Sequence, residues 1–161
     1  MNAIRKLPAW EHIVSRLASS LNGVPAETMD LFDALFSSDP PIHSARELAE
    51  RHGLSFSTLH SRFFRASLAT PKVLVVEALL VRVAFLLDDP YVSATEVSDE
   101  LQFSSMQSMS RTIGIRSKMT VTQFRRVWTG HDRFELFVSR YVTAQHDKLV
   151  TANLVGRRRF V

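Results

Sequence analysis

The chain has 161 residues, 45% of them hydrophobic and 22% charged, with a formal net charge of +4 and no cysteine. This length carries one sizeable core or two small ones, and the composition excludes general disorder. The lack of cysteine excludes disulfides and thiolate chemistry and leans towards a reducing compartment.

The first twenty residues contain no uninterrupted apolar core, because Glu11, His12 and Arg16 break it, so no signal peptide is expected. Residues 8–21 place Trp10, Ile13, Val14, Leu17 and Leu21 at helical spacing and stop at Asn22-Gly23. A second, acidic helix over 25–36 carries Met29, Phe32, Leu35 and Phe36. Together these form an N-terminal helical hairpin, residues 1–43, expected to cover the core of the unit that follows. Its outer face is the candidate surface for a homodimer.

In SARELAERHGLSFSTLHSRFF (44–64), Ser44 and Glu47 stand at capping-box spacing, and Leu48-Ala49 set a large and a small apolar residue on the inner face. Gly53 supplies a tight turn, since it accepts positive φ without a Cβ clash. Ser55 then caps a helix over about 56–66 whose inner face is Leu59 and Phe63. The pattern is a helix-turn-helix. Pro71 opens the next helix, apolar on nearly every side up to Leu87, and Asp88-Asp89-Pro90 ends it. Its run of 15 apolar-rich residues, 73–87, includes Glu77 and Arg82 and is too short and too charged to span a bilayer.

A second unit follows. ARELAERHGLS (45–55) lies over ATEVSDELQFS (94–104) at an offset of 49, with Ala45/Ala94, Glu47/Glu96 and Ser55/Ser104 identical. Further on the offset becomes 50, matching Phe63 with Ile113 and Thr70 with Thr120, which implies one inserted residue. Ser93 and Glu96 repeat the capping box. Residues 101–126 hold Arg111, Arg116, Lys118, Arg125 and Arg126 and no acid, a basic stripe suited to a polyanion partner. The remainder, 127–161, is expected to form an amphipathic helix over 132–146 (Phe134, Phe137, Val138, Tyr141) and a basic tail, Arg157-Arg158-Arg159, adding sequence-independent attraction to phosphates.

Residues 44–126, about half the chain, resemble the AraC/XylS family of transcriptional regulators, whose DNA-binding domain joins two helix-turn-helix units by a linker helix. The matching positions are Leu48-Ala49, Gly53-Leu54-Ser55, Leu59, Phe63, Thr70-Pro71, Leu86-Leu87, Glu96-Val97, Phe103-Ser104, Arg111, Met119-Thr120 and Phe124-Arg125. The chain departs from the family pattern at Ser61, where an arginine is usual, at Val76 and Leu79 of the linker, and at Gln102, which replaces the second turn glycine. The resemblance implies an all-α, bacterial-type regulator in the cytoplasm, associated with the nucleoid. Its partners would be double-stranded DNA and RNA polymerase.

The outward positions of the first recognition helix are Ser57, Thr58, His60, Ser61 and Arg65; those of the second are Ser105, Gln107, Ser108 and Arg111. Gln bonds adenine and Arg bonds guanine in bidentate fashion, whereas small hydroxyls discriminate weakly. Arg116 and Lys118 are assigned to phosphates. The six histidines show no ligand-like pairing, and no phosphate loop or nucleophile motif occurs, so neither catalysis nor a metal or cofactor is expected. The rival expectation is a divergent helix-turn-helix protein that has lost sequence readout and acts as a protein-interaction module.

Overall fold

A computed structural model describes residues 8–156, and among them the chain is all-α, without a strand. Helices α1 (Pro8–Ser20) and α2 (Ala26–Ser37) form the N-terminal hairpin. Two helical pairs follow, α3 (Ala45–Arg51) with α4 (Phe56–Arg65), and α6 (Ala94–Glu100) with α7 (Met106–Ser117). Between them runs α5 (Pro71–Leu87), and after them α8 (Val121–Val127), α9 (Gly130–Tyr141) and α10 (His146–Thr151).

The apolar run in α5 does what its composition dictates. From Glu77 to Leu87 every residue is buried, because α2, α3, α7, α8 and α9 all lie against it. Thr70 caps its start through the Val73 amide at 3.3 Å, with Pro71 in the first turn. An aromatic cluster closes the side formed by α1, α2 and α9. Phe36 meets Phe134 and Phe137 edge-on at 5.6 and 5.0 Å, and Trp10 meets Phe85 at 6.1 Å. Each buried Phe side chain is worth roughly 1.5–3 kcal/mol. The hairpin therefore packs mainly on α5 and α9 rather than on the α3–α4 pair alone.

Two charges of α5 are buried within this core rather than reaching water. Glu77 accepts hydrogen bonds from Arg133 of α9 at 2.8 Å and from Arg116 of α7 at 2.8 Å, so one carboxylate ties three helices together. Arg133 also lies over the rings of Phe124 and Trp128, at 5.6 and 4.9 Å from their centroids. Arg82 donates to the Ser38 carbonyl at 3.0 Å and holds the end of α2 to α5.

At the other end of α5 the Asp88 carboxylate accepts from the Gly130 amide at 2.9 Å, joining α5 to the start of α9. Burial pushes the Asp88 carboxyl above its usual range, the Gly130 hydrogen bond pulls it back, and the nearby Asp132 pushes it up again. Gly130 is required by contact: a Cβ there would lie 2.4 Å from the Phe85 ring and 2.8 Å from its Cα.

The helix expected over 132–146 is broken. It ends at Tyr141, the buried Val142 turns the corner, and a 3-10 turn over Thr143–Gln145 leads into α10. The break lets α10 fold back so that Leu149 and Leu154 enter the core. The tail arginines 157–159 lie outside the described residues.

Candidate nucleic-acid interface

The two helical pairs are built alike. Ser44 accepts from the Glu47 amide and Ser93 from the Glu96 amide, both at 3.1 Å, opening α3 and α6. In the first turn Gly53 adopts φ 69°, and the Leu54 amide reaches back to the Ala49 carbonyl at 2.9 Å. In the second Gln102 adopts φ 57°, and Phe103 reaches Ser98 at 3.0 Å. The second helix of each pair is then capped by a serine, α4 by Ser55 through the Thr58 amide and α7 by Ser105 through the Ser108 amide. The counterpart of Ser55 is thus Ser105 rather than Ser104. The inserted residue sits in the second turn, and the offset is already 50 when α7 begins.

From the caps onward the sequences of α4 and α7 align in register. Leu59 and Phe63 of α4, and Met109 and Ile113 of α7, are fully buried. With about 100° per residue, the opposite faces carry Ser57 and Ser61 on α4, and Gln107 and Arg111 on α7. All four are exposed. Ser61 therefore stands where α7 has Arg111. Arg65 is exposed one turn further on, and Thr58 and Ser108 lie half-buried on one flank. His60 lies on the other flank of α4, its ring 5.5 Å from that of Phe56. Ser105 is engaged as a cap, and Lys118 closes α7 in the left-handed conformation at φ 60°, exposed.

Arg116 departs from its expected place. Its guanidinium bonds Glu77 and lies 3.4 Å from the Tyr141 hydroxyl, and the Glu77 contact raises its already high pKa further. The side chain belongs to the anchor of α7 on α5. Arg125 is likewise engaged, donating to the Leu87 carbonyl at 3.2 Å and to the Val92 carbonyl, which caps the end of α5. The acid-free stripe is thereby reduced to Arg111, Lys118 and Arg126, which make no ion pair with a described residue.

The pairs are joined by more than α5. The His43 ring donates from Nε2 to the Leu101 carbonyl at 2.7 Å and meets Phe103 edge-on at 4.9 Å, so the entry to α3 rests on the α6–α7 turn. This fixes the start of the first pair against the turn of the second.

Sequence reasoning passed over two residues on these faces. Phe64, 78% exposed, follows the buried Phe63 by one step and so faces outward; Ile115 on α7 is 62% exposed. The helical wheel contains that signal, because two adjacent apolar residues cannot share one face. Among the described residues no group of His, Asp or Glu could hold a metal ion, and no helix is long and apolar enough to cross a membrane. Compared with known protein families, curated proteins and solved structures, the chain finds no match.

Proposed function

We propose that this protein is a sequence-reading DNA-binding regulator of AraC type, in which α4 and α7 enter successive major-groove segments. The observation that carries the reading is the duplicated pair. Two short capped helices, each seated by a buried i, i+4 couple, present solvent-facing polar surfaces at equivalent positions and pack on one central helix. The N-terminal residues of a recognition helix contact base edges, and its flanks meet phosphates. On α7, Gln107 and Arg111 supply bidentate readers for adenine and guanine; on α4, Ser57 and Ser61 supply weaker contacts. Lys118 and Arg126 supply charge to the backbone.

Selection from a random double-stranded DNA library tests this, with affinities of the winners and scrambled controls compared across salt. A reproducible motif bound orders of magnitude more tightly than scramble supports the regulator. Weak, salt-sensitive binding without a motif defeats it. The second reading, a protein-interaction module, is favoured by Phe64 and Ile115, which add apolar area to the same two faces. In the DNA reading those side chains meet thymine methyl groups.

A further inference from the structure

The last turn of α4 and the returning α10 line a cleft of about 620 Å³ with Arg62, Arg65, Lys148, Thr151 and Asn153, and no carboxylate stands among its described lining residues. Two of its cations are fixed by backbone. Arg62 donates to the Leu154 carbonyl at 3.2 Å and to that of Val155, and Lys148 donates to the Ser67 carbonyl at 3.0 Å. None of the three cations forms an ion pair with a described residue. Three positive charges gathered without a counter-ion among the described residues repel one another, and a bound anion relieves that repulsion. Guanidinium forks and an ammonium, beside a hydroxyl and an amide, match the oxygens of a phosphate.

We infer that this cleft binds phosphate, and that its source is the sugar-phosphate backbone of DNA alongside α4. The inference rests on the function proposed above. A helix lying in a major groove about 12 Å wide has phosphate strands on its flanks. Arg62 and Arg65 lie on the flank of α4 next to the outward Ser61, and α10 forms the far wall of the cleft. The region after the repeated pairs thus completes a clamp on one strand, with Lys148, Thr151 and Asn153 as its added contacts.

The Arg65 side chain makes no hydrogen bond to a described residue, so Arg65→Ala removes its charge without breaking such a contact. Lys148→Ala also removes the contact to Ser67, and thermal unfolding of both variants separates that loss from the loss of charge. Affinity of the full chain for winning and scrambled duplexes is measured from low to high salt. The expected result is that each variant weakens all duplexes by the same severalfold factor and lowers the slope of log affinity against log salt by about one. Slopes unchanged in both variants, while the wild type binds duplex, overturn the clamp and leave the proposed function standing.

A free phosphorylated molecule would use the same chemistry, so amide NMR with inorganic pyrophosphate forms the second arm. Saturable shifts at residues 148–153 that Arg65→Ala abolishes, together with unchanged duplex slopes, overturn the DNA source in favour of a small ligand. If the wild type binds no duplex, the proposed function fails and the pyrophosphate arm alone decides the phosphate chemistry. Saturable shifts then support it, and their absence overturns it.

Discussion

Gly53 and Gln102 adopt the same left-handed backbone in equivalent turns, yet only the first residue is free of a Cβ. For a non-glycine residue that conformation costs roughly 1–2 kcal/mol, part of which is offset because glycine makes the unfolded chain more flexible. Gln102→Gly should therefore stabilise the protein by about 0.5–1 kcal/mol, and Gly53→Ala should destabilise it by about 1 kcal/mol. Urea unfolding of the two variants checks both signs. A Cβ at Gly53 would meet nothing within 4 Å, so its loss tests backbone strain rather than packing. The turn at Gly53 was legible in the sequence because glycine announces positive φ. The turn at Gln102 was legible only through the repeat.

At the scale of elements, α7 is held to the molecule by the Glu77 anchor as much as by Met109 and Ile113. Replacing Glu77 by Gln leaves Arg133, whose side chain is 4% exposed, buried without a counter-charge. That variant should lose about 3–5 kcal/mol of stability, the usual cost of breaking a buried pair. Arg116→Ala should cost much less, about 1 kcal/mol or below, because its side chain is one-third exposed and the pair partly screened. Chemical denaturation of both proteins, read by far-UV circular dichroism, gives the ordering. The extent of α5 was legible from Pro71, the apolar run and Asp88-Asp89-Pro90. The partners of its buried charges were not. Arg116 lies 39 residues and Arg133 lies 56 residues from Glu77, and local periodicity carries no information over such separations. For the same reason Arg116 reads as one more cation in a basic stripe until its carboxylate is seen.

Across the whole molecule, the N-terminal hairpin, the duplicated pairs and the C-terminal helices share one apolar core built round α5. A core of this kind holds α4 and α7 at a fixed spacing, which is what two helices need if they are to read one duplex in register. The all-α architecture and the repeat followed from periodicity, caps and an offset. The return of α10 against α4 did not, because a buried corner at Val142 makes it without a glycine or proline to mark it. In the proposed function, the outer face of α7 reads base edges through Arg111. The most direct measurement compares Arg111→Ala with wild type on a selected duplex and on its scramble, at one fixed salt concentration. The expected result is a loss of about 1–3 kcal/mol on the selected duplex and a much smaller loss on the scramble, so that discrimination collapses. Equal losses on both duplexes, with the sequence preference intact, would contradict it.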